Sequence, residues 1–175
     1  MSTRSTPWEP GTPCWVDLNS PDPTTANGFY GALFGWDAPE GPPETGGYRV
    51  AMVGDRPVAG IGPAQNPGPP VWATYVAVES ADAAAEKVTA AGGQVIVPPF
   101  DVLDVGRMAV AGDPNGAVFS LWQPLQHQGI GAAGDTGEPE DVLVGVVADE
   151  VADHASDVPD DLPPRILKAL KGKKK

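Results

Sequence analysis

One order of elements runs through this chain twice, and any fold must accommodate both passes. An extended stretch at 12–19 leads into helical spacing. Ser20 or Asp22 can cap, Pro23 suits a first turn, and Ala26, Phe29, Tyr30, Leu33 and Phe34 recur at helical intervals before Gly35 offers a stop. A Pro/Gly/Glu loop over 36–47, with room for a third strand near Trp36, precedes strands at 48–53 and 58–62 that pair across Gly54-Asp55. After the Pro-rich linker 63–70 the order restarts, with a strand at 71–78, a helix over 81–91 stopped by Gly92-Gly93, a strand at 94–97 and a hairpin. Two βαβββ modules, 12–62 and 71–124, are the consequence. Neither can cover both faces of its own sheet. The expected fold class is therefore α+β, a concave mixed sheet shared by the modules with a cleft along its curve.

The closing hairpin decides which side chains look into that cleft. Strands at 106–111 and 117–123 flank Gly112-Asp113-Pro114-Asn115-Gly116, where Asp-Pro opens the turn and Asn-Gly supplies the positive-φ positions. Alternation puts Val118, Ser120 and Trp122 on one face and Phe119 and Leu121 on the other. The same rule applied to 12–19 assigns Cys14, Val16 and Leu18 to the core and Trp15 and Asp17 to the cleft. Tyr75 joins them from the strand at 71–78, and Tyr48 and Met52 from the first hairpin. The cleft is then aromatic, with Asp17, Thr74 and Ser120 as sparse polar contacts. That is the make-up of a small-molecule pocket whose rings can stack on a planar ligand. The competing reading is that these rings fill the cleft as core.

Composition narrows the partners. With 22 Gly and 21 Pro in 175 residues, short elements joined by many turns are expected, in one domain with peripheral segments. The net charge of −12 is uneven: residues 1–134 carry 5 Lys+Arg against 13 Asp+Glu, and residues 135–175 carry 6 against 10. An acidic body argues against nucleic acid, whose phosphates need a basic surface, and suits a neutral or cationic small ligand. No apolar run reaches the ~18 residues that span a membrane. The start carries no charged-then-apolar leader, and Cys14 has no partner for an internal disulfide. A cytoplasmic protein with no membrane contact is expected.

The pieces FYGALFGW (29–36), YVAVESADAAAEKVTAAGG (75–93) and DPNGAVFSLWQ (113–123) resemble the vicinal oxygen chelate superfamily of glyoxalases, extradiol dioxygenases and bleomycin-resistance proteins. The match covers roughly 12–124, and within it the chain is most similar to actinobacterial glyoxalase-like proteins often labelled "hydroxylase". The resemblance implies the vicinal oxygen chelate fold and a homodimer, through modules that pair within or between chains. It also implies where a divalent ion would sit in metal-dependent members. The His near the start of the first strand falls on Trp15, its counterpart in the second module on Ala73 or Thr74, and the Glu of the last strand on Ser120. An indole, a methyl group and an unactivated hydroxyl do not supply the imidazole nitrogens and carboxylate oxygens such ions require. No metal and no cofactor are therefore expected.

Other groups have a functional and a bland reading. Asp17 can anchor a ligand amine or act as a general base, or can serve the fold by binding backbone or Arg107. Arg107 can clamp an anionic or carbonyl group, or form a surface salt bridge. Cys14 reads as a buried thiol, Asp113 as a turn residue, and His127 and His154 as solvated tail residues beyond the domain. The candidate ligand-binding set is thus Trp15, Asp17, Tyr48, Met52, Tyr75, Arg107, Ser120 and Trp122, with no catalytic residue assigned. Two functions follow. The first is a metal-free protein that binds a hydrophobic or aromatic small molecule for sequestration, resistance or biosynthetic support. The alternative is a lyase, isomerase or oxygenase-type enzyme of the same superfamily, working through unexpected ligands or through Asp17 and Tyr75. Flanking the domain, 1–11 reads as a flexible arm that Trp8 can tack down. The segment 125–175 reads as a Gly-rich linker and a disordered acidic and basic tail, a place for a partner contact in a third, interaction-module reading.

Overall fold

A computed structural model describes residues 2–3, 6–65 and 67–133; the acidic and basic tail beyond 133 lies outside them. By its contacts the chain divides into Arg4–Ala132 and a second unit of Met1–Thr3 with Ala133–Lys175, and all that follows concerns the first. Its elements are β1 (Pro13–Ser20), α1 (Pro23–Phe34), β2 (Arg49–Val53), β3 (Arg56–Pro63), β4 (Val71–Ala77), α2 (Ala81–Ala90), β5 (Gln94–Val102), β6 (Gly106–Gly112) and β7 (Val118–Pro124). They build a seven-stranded sheet in the order β2-β3-β1-β4-β7-β6-β5.

The repeat is visible in the pairing. Each module lays its first strand parallel to its last, β1 with β3 and β4 with β7, and the two first strands meet antiparallel at the centre. The third strand expected near Trp36 is reduced to one bridge, in which Asp37 and Met52 exchange backbone hydrogen bonds of 3.0 and 2.8 Å. Its counterpart β5 is instead longer than expected and carries Pro98 and Pro99. An edge strand tolerates them, because the register with β6 shifts between Val97 and Phe100 and leaves both prolines out of the regular ladder.

Local chemistry sets the ends. Asp22 caps α1 by accepting from the Thr24 and Thr25 amides at 3.1 and 2.9 Å, and Gly35 closes it in the left-handed region at φ 70°. In the last hairpin Asp113 Oδ1 accepts from the Asn115 and Ala117 amides, both at 2.8 Å. Of that turn's residues only Gly116 takes positive φ; Asn115 does not, because 113–116 form a β-turn closed by the Gly116 amide on the Asp113 carbonyl at 3.0 Å, with Pro114 and Asn115 at its centre. Two aliphatic and aromatic clusters cover the two sides of the sheet. One gathers Leu18, Ala38, Ala51, Ala59 and Ile61 beneath Ala26, Tyr30 and Trp36; the other gathers Trp8, Cys14, Trp15, Tyr75, Ala77 and Trp122.

Three features differ from the sequence reading. Cys14 does not share a cluster with Leu18, because the register shifts between Pro13 and Trp15 and turns it toward the Trp15 side. The helical stripe of α1 is only partly covered: Ala26 and Tyr30 pack against the Leu18 cluster, but no residue of the helix is buried, and Phe29, Leu33 and Phe34 are 59, 57 and 53% exposed. The segment after β7 folds back instead of leaving. Its Leu125 and His127 amides donate to the Val105 carbonyl, Ile130 donates to Cys14, and Gly131 donates to Pro57.

Candidate functional site

Strand register brings most of the expected residues to one place. Trp15 on β1 lies opposite Tyr75 on β4, and Tyr75 lies opposite Ser120 on β7. One pleat further along, Asp17 lies between Gly60 of β3 and Ala73 of β4. Asp17 is buried, at 8% exposure. A carboxylate in that position needs donors, and three side chains provide them. Tyr48 donates its hydroxyl to Oδ1 at 2.5 Å, the Trp15 indole N–H donates to the same oxygen at 2.7 Å, and Tyr75 donates to Oδ2 at 2.6 Å. The Trp15 N–H is shared with the Tyr48 oxygen at 3.1 Å.

Glycine makes the arrangement possible. Tyr48 lies across β3, so that a Cβ on Gly60 would stand 2.0 Å from the Tyr48 hydroxyl and 2.1 Å from Asp17 Oδ1, and one on Gly62 would stand 3.0 Å from the Tyr48 ring. No side chain fits under the ring at Gly60. Burial lifts the Asp17 carboxyl above the usual carboxylate range, and the bonds from Tyr48, Tyr75 and Trp15 pull against that rise. Burial and the adjacent Asp17 also raise both tyrosines, so that they stay protonated and donating. Ser120, opposite Tyr75 on β7, pulls against the rise at Tyr75. Beside Asp17 opens a cavity of about 340 Å³, lined by Asn19, Glu44, Tyr48, Gly62 and Gln65 among others. A wider groove of about 600 Å³ lies at the opposite end of β1, along Trp8, Glu9, Glu79 and Gln123, away from the Asp17 network.

The aromatic wall is present but covered. Trp15, Tyr75 and Trp122 are 3, 8 and 5% exposed. His127, read from sequence as a solvated tail residue, stands edge-on to Trp15 at 4.4 Å and to Trp122 at 5.7 Å between centroids, and its carbonyl accepts from the Trp122 indole at 3.0 Å. Ile130 packs against the same cluster. Burial lowers the His127 pKa below 6.5. A group with a depressed folded pKa contributes stability that is complete above its unfolded value and is lost as pH falls through the folded one. Thermal stability should therefore decline as pH drops below 6.5, and His127→Phe should remove that part of the decline in melts taken across this range. A slope unchanged in the variant would assign it to other groups.

Two expected residues are elsewhere. Arg107 pairs with Gln123, which places it on the helix side of the sheet, where Asp82 of α2 and Asp101 each bind its guanidinium at 2.8 Å. It is a surface ion pair and does not reach the cavity. Met52 sits two strands from β1, opposite Pro57, with its backbone bridged to Asp37. Cys14 is buried and its thiol is pushed up to about 12 by desolvation, which keeps it protonated and unreactive.

The donor set can be tested against a divalent ion. Trp15 offers only an N–H, Ala73 offers no ligand atom, Ser120 offers an unactivated hydroxyl, and both oxygens of Asp17 already accept protein donors. Among the described residues no three His, Cys, Asp or Glu side chains come together to hold an ion. These residues do not fit a divalent metal.

Comparison with known proteins agrees with the architecture. The family model described as Glyoxalase/Bleomycin resistance protein/Dioxygenase superfamily matches residues 14–121. The chain is 44% identical over 134 residues to "Putative glyoxylase CFP32" of Mycobacterium tuberculosis, covering 73% of this chain and 51% of the relative. It is 38% identical over 162 residues to "Anthracycline biosynthesis protein DnrV" of Streptomyces peucetius, covering 82% of this chain and 59% of that one. The chain thus spans little more than half the length of these relatives. Among solved structures, the Mn(II)-bound glyoxalase from Novosphingobium aromaticivorans superposes with a TM-score of 0.50 at 18% identity, over 72% of this chain and 42% of that one, a likeness of fold alone.

Proposed function

This chain belongs to the glyoxalase/bleomycin resistance protein/dioxygenase superfamily, and from that premise we propose that it binds a hydrophobic, planar aromatic small molecule without a metal ion. Its role in this reading is sequestration, resistance or support of a biosynthetic step. The observation that carries the reading is the use of the Asp17 carboxylate. Both of its oxygens already accept from Tyr48, Tyr75 and Trp15, so it is an organiser of donors and rings at a cavity edge and not a metal ligand. Tyr48 is the half-buried member that lines the cavity, and its ring offers a flat surface to a ligand. The cavity's volume of about 340 Å³ lies at the lower end of the range, about 300–1,000 Å³, common for small-molecule sites. The name of the Streptomyces peucetius relative, which refers to anthracycline biosynthesis, fits a polycyclic ligand class.

Titration of the purified chain with a planar anthraquinone, followed by intrinsic tryptophan fluorescence, should give saturable quenching. Tyr48→Ala should weaken it by about tenfold, the loss of one stacked ring at roughly 1 kcal/mol or somewhat more. Metal analysis of the same sample should find no stoichiometric divalent ion. Absence of saturable quenching across a panel of planar aromatics would remove the binding reading, and one ion per chain would remove its metal-free part.

A second reading rests on the same network. Asp17, whose carboxyl burial raises, could take up a substrate proton through the Tyr48 hydroxyl, which would pass its own proton to Asp17 and accept one from a ligand in the cavity, as a lyase or isomerase requires. Turnover of a carbonyl substrate that survives chelator and is lost in Tyr48→Phe would favour it.

A further inference from the structure

The two sides of the sheet are covered by different means. Both helices pack on one side, α1 over the Leu18 cluster and α2 beside Arg107. On the other side lie Trp15, Tyr75 and Trp122, and there the segment 125–131 forms the cover through His127 and Ile130, with Trp8 next to it.

Gly129 sets how closely this segment docks. It stands at φ 101°, and a Cβ there would lie 2.4 Å from the Cys14 carbonyl oxygen and 3.0 Å from the Trp8 ring, so the segment crosses β1 at a distance that only glycine allows. Backbone bonds complete the contact. Ile130 donates to Cys14 and Gly131 to Pro57, both at 2.8 Å, and Leu125 and His127 share the Val105 carbonyl at 3.1 and 3.0 Å. The fit is imperfect, however. Gln128 Oε1 is buried without a hydrogen-bond partner, its amide nitrogen turns back on the Leu125 carbonyl within the segment, and the Leu125 side chain is exposed. A buried acceptor with no donor is a cost carried only while the segment is down. A short stretch containing two glycines and held by a few backbone bonds also opens more readily than strands at the centre of a sheet.

We propose, resting on the binding reading above, that 125–131 is a strap that occupies the aromatic wall in the free protein and lifts when a planar aromatic ligand takes its place. Room is the first reason. The cavity of about 340 Å³ beside Asp17 holds little of a polycyclic molecule, but its Tyr48 hydroxyl is 3.1 Å from the Trp15 indole N–H, so the wall adjoins the cavity. Contact is the second. His127 meets Trp15 and Trp122 edge-on, at interplanar angles of 88 and 72°, and a ring edge covers less of an indole than a stacked planar ligand does. Lifting also frees the Trp122 N–H, which the His127 carbonyl accepts at 3.0 Å, for an oxygen on the ligand.

Hydrogen exchange of the full chain, read residue by residue by NMR, tests the lifting without a ligand. The Leu125, His127, Ile130 and Gly131 amides should exchange at least about 100-fold faster than the slowest amides of β1 and β4, and a saturating planar anthraquinone should speed them further. Gly129→Ala blocks docking and leaves the wall intact, so it should bind the anthraquinone about tenfold more tightly than wild type, because the strap no longer competes. Gly116→Ala is the control: at φ 94° with nothing within 4 Å of its Cβ, it strains the backbone without touching the strap and should leave affinity unchanged. Where Gly129→Ala does not fold, Ile130→Ala, which removes the strap's aliphatic contact with the wall, gives the same comparison. Strap amides that exchange no faster than those of β1 would overturn the proposal. So would an anthraquinone that binds wild type and the undocked variant equally, a result that leaves the binding reading standing. An anthraquinone that binds neither removes the binding reading, and the strap loses its role with it.

Discussion

Asp17→Ala should destabilise the protein by about 3–5 kcal/mol, because it removes the acceptor that three side-chain donors share and leaves only the Trp15 N–H with another, the Tyr48 oxygen at 3.1 Å. At the roughly 2–4 °C per kcal/mol typical of a domain of this size, the melting temperature should fall by about 6–20 °C. The Tyr75 hydroxyl and the Trp15 N–H are the costly ones, since both are buried where they meet Asp17, while the bond from the half-buried Tyr48 is partly exposed. Asp17→Asn separates charge from shape. An amide keeps one oxygen for two of the donors but turns an N–H₂ toward the third, so the cost should drop to about 1–2 kcal/mol. Its dependence on pH should change as well. A carboxyl raised in the folded state contributes stability that is complete below its unfolded pKa of 3.8 and is lost as pH rises through the folded value, so the Asn variant should lack that loss when melts are compared across the acidic range. Equal destabilisation by Ala and Asn would mean that the three donors find other acceptors, and the network would lose its organising role.

The parts of this fold that were legible in the sequence are those fixed over a few residues. Asp22, Pro23 and Gly35 write the ends of α1, and the Asp113 turn writes the last hairpin, because caps and turns depend on local backbone geometry. Alternation along β1 and β7 likewise grouped Trp15, Asp17, Ser120 and Trp122 correctly. Arg107 was misplaced for want of a register: its pairing with Gln123 sets it on the face opposite Trp122, and Asp82, which holds it there, comes from a helix 25 residues away. The segment 125–131 carried no signal at all. It has no hydrophobic period, and it is held largely by backbone bonds to Val105, Cys14 and Pro57, which any residue but proline could make. The stripe on α1 was legible as a helix face, but periodicity reports which side chains align and not what they touch, so its exposure could only be seen in three dimensions.

Gly60→Ala is the sharpest test of how closely that network is fitted to the sheet. The added methyl group would stand 2.0 Å from the Tyr48 hydroxyl, 2.1 Å from Asp17 Oδ1 and 2.5 Å from Tyr48 Cζ, all well inside contact distance. Nothing on the strand itself can yield, since Gly60 lies in β3, hydrogen-bonded between β1 and β2, so the displacement must fall on Tyr48 and Asp17. Overpacking together with loss of the Tyr48 bond to the carboxylate should cost about 2–4 kcal/mol. Gly62→Ala meets only the near edge of the Tyr48 ring, at 3.0 Å, and should cost less than about 1 kcal/mol. Coupling distinguishes this mechanism from general strand strain. In a Tyr48→Ala background two of the three clashes disappear, leaving Asp17 alone to rotate away, so the penalty of Gly60→Ala should shrink by about 1–2 kcal/mol in a double-mutant cycle read by chemical denaturation. Strict additivity would mean that the glycine serves the backbone of β3 and not the ring that lies on it. Because the same ring lines the cavity, Gly60→Ala should also lower affinity for the anthraquinone probe as far as Tyr48→Ala does, which ties the close approach of the ring to ligand binding as well as to stability.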